Sequence, residues 1–240
     1  MRRTWLILPV LAVIAAMAVQ PAFAQEVVQK WSAYGGYSYL NTTTNNLTEN
    51  GFNLVMARNT SFRWLSLGAD FSHYTGAGSQ VQGLPSSLAS YLPPQAVAAL
   101  AGQKLQVPYN ASTTNFAAGT QFEYRRKRVT PFLRPYLGLF HMRGEGQSSK
   151  IQPPAQIPAA QFAAMLGSIP QAALNRALTQ SATNIGYGAG AGIDINFTDR
   201  FAVRASCDYI RTALFGDRQN NVRISTGLVR RFGGPVGQSR

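Results

Sequence analysis

The stretch that most limits what this chain can fold into lies between Ile185 and Phe232, where side-chain character alternates residue by residue. Ile185, Tyr187, Ala189, Ala191, Ile193 and Ile195 take one parity, and Gly186, Gly188, Gly190, Gly192 and Asp194 take the other. After Thr198-Asp199-Arg200 the alternation resumes, with Phe201, Val203, Ala205, Cys207 and Tyr209 against Arg204, Ser206 and Asp208. A third segment sets Val222, Ile224, Leu228 and Phe232 opposite Arg223, Ser225, Gly227 and Arg231. A period of two is the period of a β-strand; a helix would scatter both sets around its circumference. One face is apolar with aromatic ends, and the other carries glycine and full charges. Apolar outside and polar inside is the pattern of a strand crossing a membrane in a closed barrel.

Earlier segments alternate in the same way. Strands are predicted over Gln29 to Leu40, around Phe52, Leu54 and Met56, and over Trp64 to Tyr74, Phe116 to Arg125 and Thr130 to Met142. Pro131 and Pro135 weaken the fifth, because proline donates nothing to a ladder. With the three segments above, the total is eight. The expected connections alternate long and short: polar loops at Asn41 to Asn50 and Ala213 to Asn220, long insertions over about 75–113 and 143–183, and tight turns between. An even strand number with long loops at one end and short turns at the other is the plan of a transmembrane barrel. If the first strand runs outward, Trp31, Trp64, Phe122, Tyr124, Phe197, Phe201 and Phe232 fall at the turn end. Tyr37, Tyr39, Phe52, Phe71, Phe116, Phe140, Tyr187 and Tyr209 fall at the loop end. Two such belts suit the two membrane–water interfaces.

Composition agrees. Only 13% of residues are charged, below the usual quarter, and no internal run is long enough for a spanning helix. Residues 1–24 read as a secretory signal peptide: Arg2 and Arg3, an apolar core from Trp5 to Val19, and Ala22-Phe23-Ala24 before the cut. The formal charge of +13 is scattered over turns and loops, which points to anionic lipid head groups and away from nucleic acid. A lone cysteine, Cys207, excludes an internal disulfide and sits on the apolar parity.

The segments WLSLGADFSHY, TPFLRPYLGLF, GAGAGIDINFTDRFAVRASCDY and NVRISTGLVRRF resemble the strands of the small eight-stranded outer-membrane barrels, the OmpA-like transmembrane domain. The likeness spans the mature strands and neither insertion. It implies an all-β, antiparallel, up-and-down transmembrane barrel over residues 25–232 in a bacterial outer membrane, with a short tail over 233–240. Its implied partners are outer-membrane lipids and lipopolysaccharide, periplasmic chaperones and the barrel assembly machinery. In that family a last-strand aromatic is read by this machinery, and Phe232, with Leu228 and Ile224 on its parity, matches it.

Inward parity collects Asp70, Glu123, Arg125, Arg134, Asp194, Arg204, Asp208, Arg223 and Arg231. Eight strands leave room only for packed side chains, and a lone buried charge costs several kcal/mol. These groups are therefore expected to pair and seal the lumen, with the glycines of GYGAGAG making room for arginines opposite. No cofactor or metal-ligand pattern is present, and no catalytic site is assigned. His73 and His141 fall at external strand ends near Ser72 and Asp70, but adjacent strand residues point to opposite faces. The insertions contain alanine-rich runs broken by proline. Helices are expected in 94–104 and in 161–179 with a break at Pro170, the two loops covering each other over the mouth. The reading is a non-enzymatic barrel, structural or surface-binding through its loops. The competing readings are a small pore, a lipid A-modifying enzyme, and a secreted soluble barrel with its faces inverted around a lipophilic ligand.

Overall fold

The alternation closes on itself. In the computed structural model, which describes residues 28–42, 47–154 and 156–236, eight strands form one closed antiparallel barrel in chain order. They are β1 (Gln29–Thr42), β2 (Leu47–Asn59), β3 (Leu65–Gln82), β4 (Leu105–Glu123), β5 (Val129–Gly146), β6 (Thr179–Asn196), β7 (Phe201–Leu214) and β8 (Asp217–Pro235). Each pairs with its sequence neighbour, and β1 closes the ring on β8 with Trp31 opposite Phe232. The expected leader, residues 1–24, lies outside the described residues, as does the end of the tail.

The outward parity is apolar and exposed. Leu54, Leu67, Leu133, Leu137, Ile185, Ile224 and Leu228 form its middle, with Cys207 among them. Trp31, Trp64, Phe122, Tyr124, Phe197 and Phe201 ring the turn end; Tyr37, Phe52, Phe71, Phe116, Tyr187 and Tyr209 ring the loop end. Trp64 stacks on Phe122 at 5.9 Å between ring centroids. Phe140 departs from the expected outer belt. It shares the parity of Arg134 and Tyr136, is buried, and fills the lumen.

The strands also run further outward than their composition suggests. Thr, Ser, Asn and Gln stretches that read as loop are paired strand, as in Gly78↔Tyr109 and Gln82↔Leu105. Partner strands supply the backbone hydrogen bonds, so pairing overrides weak β-propensity. The insertions shrink to 83–104 and 147–178. The expected loop at Ala213 to Asn220 is instead a two-residue hairpin turn, since Leu214 pairs with Asp217. Phe215 and Gly216 between them carry φ of 56° and 85°. β5 tolerates both prolines, but the β4–β5 ladder lapses between Gly119↔Tyr136 and Phe122↔Leu133, beside Pro135. β8 continues past Phe232 to Pro235.

Among the described residues four short α-helices lie in the insertions: α1 (Ser86–Ala89), α2 (Pro94–Leu100), α3 (Ala159–Gly167) and α4 (Gln171–Leu178). Each follows a proline at its N-cap, and Pro170 separates α3 from α4. Proline suits such boundaries, since its φ matches the first turn and it needs no helical acceptor there.

Candidate functional site: a packed lumen beneath a loop cap

At mid-height, one row of register partners runs Arg134 on β5, Gly190 on β6, Asp208 on β7 and Arg223 on β8. Arg223 Nε donates to Asp208 Oδ2 at 2.8 Å, and Arg134 Nη2 to Asp208 Oδ1 at 3.1 Å. Across the lumen Arg223 Nη2 meets Asp70 Oδ2 at 2.9 Å, and Arg134 Nη1 meets the same oxygen at 3.4 Å. Two carboxylates and two guanidiniums thus alternate in a closed ring. Gly190 is what leaves room for the Asp208 carboxylate between the two arginines, since a Cβ there would land on it. The glycine track was expected to make room for arginine; at Gly190 the space is taken instead by the carboxylate that the arginines grip.

The neighbouring glycines make room for something else. A Cβ on Gly186 would come within 2.6 Å of the Phe140 ring, and one on Gly188 within 2.8 Å of Tyr136 Cζ. Phe132 takes the space over Gly192. These β5 rings lie between the glycine strand and the cations: Arg204 is 4.3 Å from the Phe132 centroid, and Arg134 and Arg223 each 5.5 Å from Tyr136. Guanidiniums stack favourably on aromatic faces, more so when desolvated.

Toward the turn end a second set repeats the logic. Arg204 grips Asp194 in bidentate fashion at 2.7 and 3.0 Å, and Arg231 reaches the same carboxylate at 2.9 Å. Glu123 meets Arg125 at 2.6 Å and accepts from Ser66 and Gln121. Every predicted interior charge therefore lies inward and in an ion pair. Desolvation is tolerable where charges are paired and hydrogen-bonded, although Arg134 Nε and Arg231 Nη1 have no hydrogen-bond partner among the described residues.

Toward the loop end the lumen becomes apolar. Leu40, Leu47, Tyr74, Tyr109, Phe140, Met142, Ile210 and Leu214 form one buried cluster. Glu49, 1% exposed, is set among them. Its chain passes over Gly76, and Oε2 accepts from Thr113 at 2.8 Å. Oε1 has no hydrogen-bond partner among the described residues. Sequence reasoning left Glu49 in a loop; its shared parity with Leu47, Asn53 and Val55 was the signal to find it.

The two insertions cover this layer together, as expected. Leu88, Leu92, Ala96 and Leu100 from one pack with Ile157, Phe162, Ile169, Leu174 and Leu178 from the other, over Leu105 and Val107 of β4. Tyr91 stays exposed.

The histidines sit apart from the interior chemistry. His73 Nδ1 is 3.0 Å from Thr114 Oγ1, and His141 Nδ1 is 2.7 Å from Thr183 Oγ1. Both pairs are on the outward parity, whereas Ser72 is buried inside with Asn115. Among the described residues no group of three His, Cys, Asp or Glu side chains is arranged to hold a metal ion.

Comparison with known proteins places this architecture. The family model described as the outer membrane protein beta-barrel domain matches residues 10–232. The chain belongs to that family. The outer membrane barrel is similar to several solved structures. One is Ail, the attachment invasion locus protein of Yersinia pestis, in complex with the heparin analogue sucrose octasulfate. It is 15% identical with a TM-score of 0.44, over 84% of this chain and 99% of that one. Neisserial surface protein A is 12% identical with a TM-score of 0.47, over 84% and 96%. OprG of Pseudomonas aeruginosa is 8% identical with a TM-score of 0.45, over 88% and 100%. No curated protein sequence matches the chain.

Proposed function

We propose that this outer membrane barrel is a sealed, non-enzymatic scaffold that holds a folded cap at the cell surface, where the cap serves as a binding surface. The observation that carries the reading is the ring of Asp70, Arg134, Asp208 and Arg223, whose side chains are at most 6% exposed. A water-filled path would hydrate such groups. The apolar layer and the cap lie over the ring in series. The aromatic belts seat the barrel among outer-membrane lipids and lipopolysaccharide, with the cap outside. Arg58, Arg128, Arg200 and Arg230 lie at the turn end, where they meet anionic head groups. Phe232, paired with Trp31 at the foot of β8, is the residue offered to the assembly machinery after export by the leader.

Two measurements test the reading. In planar bilayers the purified barrel is expected to give no discrete conductance steps; stable single-channel openings would overturn the seal and favour an ion path. Cells displaying the protein are expected to adhere to a surface of immobilised matrix proteins and glycans. A variant with 83–104 replaced by a tight turn should lose that adhesion while remaining folded. Adhesion that is absent from both would leave only the scaffold. A change in lipid A acylation by mass spectrometry on expression, lost in His73→Ala, would replace the reading with an enzymatic one.

A further inference from the structure

Between the apolar layer and the cap lies a cavity of about 90 Å³. Its apolar wall is Val107, Tyr109, Met142, Leu178 and Phe215, and its polar edge is made of glutamine carboxamides, including the buried Gln219. None of the lining side chains is charged, in contrast with the lumen beneath.

Two positions in this wall are occupied by residues that local physics does not favour. Phe215 is the first, the one non-glycine residue with positive φ among the described residues. A two-residue hairpin turn that needs positive φ at both centres selects Asn, Asp or Gly at the first, because a Cβ crowds the following carbonyl. Core packing does not account for the phenylalanine, since it is 39% exposed. The residue lines the cavity instead. A residue held at positive φ beside a cavity points to a role there.

Gly144 is the second. A Cβ built there would meet only Tyr109 Cδ2, at 3.7 Å, an ordinary contact. Packing therefore does not require glycine at this inward-facing strand position, and glycine weakens a strand interior. Gly146 differs: its Cβ would come within 2.7 Å of Leu178. The absence of a side chain at 144 keeps the cavity open.

We propose that this cavity is a binding site for a neutral, ring-sized apolar molecule bearing one hydrogen-bonding group, which stacks near Phe215 and Tyr109 and is met by the glutamine edge. Small-molecule sites are concave and combine apolar walls with polar groups that fix orientation; here polar surface is the larger share of the lining. The apolar layer of Tyr74 and Phe140 lies below it, so the site holds a molecule without passing it through the barrel.

Methionine methyl groups provide the test. The sequence holds five methionines, two of them, Met1 and Met17, in the leader. Of the others Met142 lines the cavity, Met56 faces outward among the lipids, and Met165 packs in the cap. The mature protein, labelled with ¹³C at the methionine methyls and held in lipid nanodiscs, is titrated with benzyl alcohol. The Met142 signal is expected to shift and saturate, while Met56 moves in proportion to the probe dissolved in the lipid. Gly144→Leu, filling the cavity, should abolish the saturating shift and keep the native gel mobility. A Met142 signal that only tracks Met56, or saturation that survives Gly144→Leu, overturns the proposal. Should Gly144→Leu fail to fold, Phe215→Asn suits the turn and removes the ring. It should weaken the probe roughly ten-fold, the equivalent of a lost aromatic contact; unchanged affinity overturns the site equally.

Discussion

Arg223 and Asp208 are register partners on β8 and β7, and their side chains meet at 2.8 Å with neither exposed at all. Each also serves a second partner: Arg223 bridges to Asp70, and Asp208 receives Arg134. The pair is thus the hinge of a four-charge ring rather than an isolated ion pair.

Asp208→Asn should be strongly destabilising for that reason. The change leaves two buried guanidiniums sharing the carboxylate of Asp70. Removing one member of a buried pair costs about 3–5 kcal/mol, mostly because the remaining charge is stranded. The expected result is a lower urea midpoint for loss of the folded, fast-migrating form on unboiled gels. An unchanged midpoint would show that the ring contributes little to the fold.

Glu49→Gln should act in the opposite sense. Glu49 is as deeply buried as the ring carboxylates, yet only Thr113 supports it and one oxygen lacks a hydrogen-bond partner. A neutral amide keeps the shape and still accepts from Thr113. Relieving an unpaired buried carboxyl should raise stability by about 1 kcal/mol or more. The same urea series reads it, and a lowered midpoint would mean that Glu49 has a cationic partner in the membrane.

Gly190→Ala tests the glycine track. The new methyl would occupy the position of the Asp208 carboxylate and push it away from Arg134 and Arg223, so the protein should fail to reach the fast-migrating form. Gly167→Ala is the matched control. Nothing lies within 4 Å of its added Cβ, and migration should be native. Equal behaviour of the two variants would contradict the row Arg134–Gly190–Asp208.

Much of this arrangement was legible because strand parity is a strict constraint. Once Ile185 and Leu228 face lipid, Asp194, Arg204 and Arg223 have nowhere to go but the lumen, and eight strands leave them no water. What parity does not encode is the partner. That Gly190 admits the Asp208 carboxylate while Gly186 admits Phe140 depends on the stagger between strands, which appears only when the barrel closes. Phe140 itself was readable from parity and was misplaced by weighing its aromaticity above its phase. The reach of β3 and β4 beyond the membrane was hidden by loop-like composition, because the ladder between Gly78 and Tyr109 is stabilised by its partner strand and not by residue propensity. Phe215 was hidden for a related reason: a turn that needs positive φ is not announced by a phenylalanine.

Phe162→Ala should separate the cap from the barrel. Phe162 lies in α3, is 3% exposed, and packs in the cluster that joins both insertions. Truncating a buried phenylalanine costs about 3–5 kcal/mol, a large share of what such short helices gain from packing, since helices of this length are not stable alone. Lys104, Lys150 and Arg176, the exposed tryptic sites of the two insertions, should then be cut much faster on intact cells than in the wild type. The barrel strands contribute nothing to that cluster beyond β4, so the heat-modifiable gel shift should persist in the variant. Cleavage that is equally fast in both proteins would mean that the insertions are not held together at the cell surface. Loss of the gel shift together with cleavage would mean that the cap is needed to close the barrel and not only to cover it.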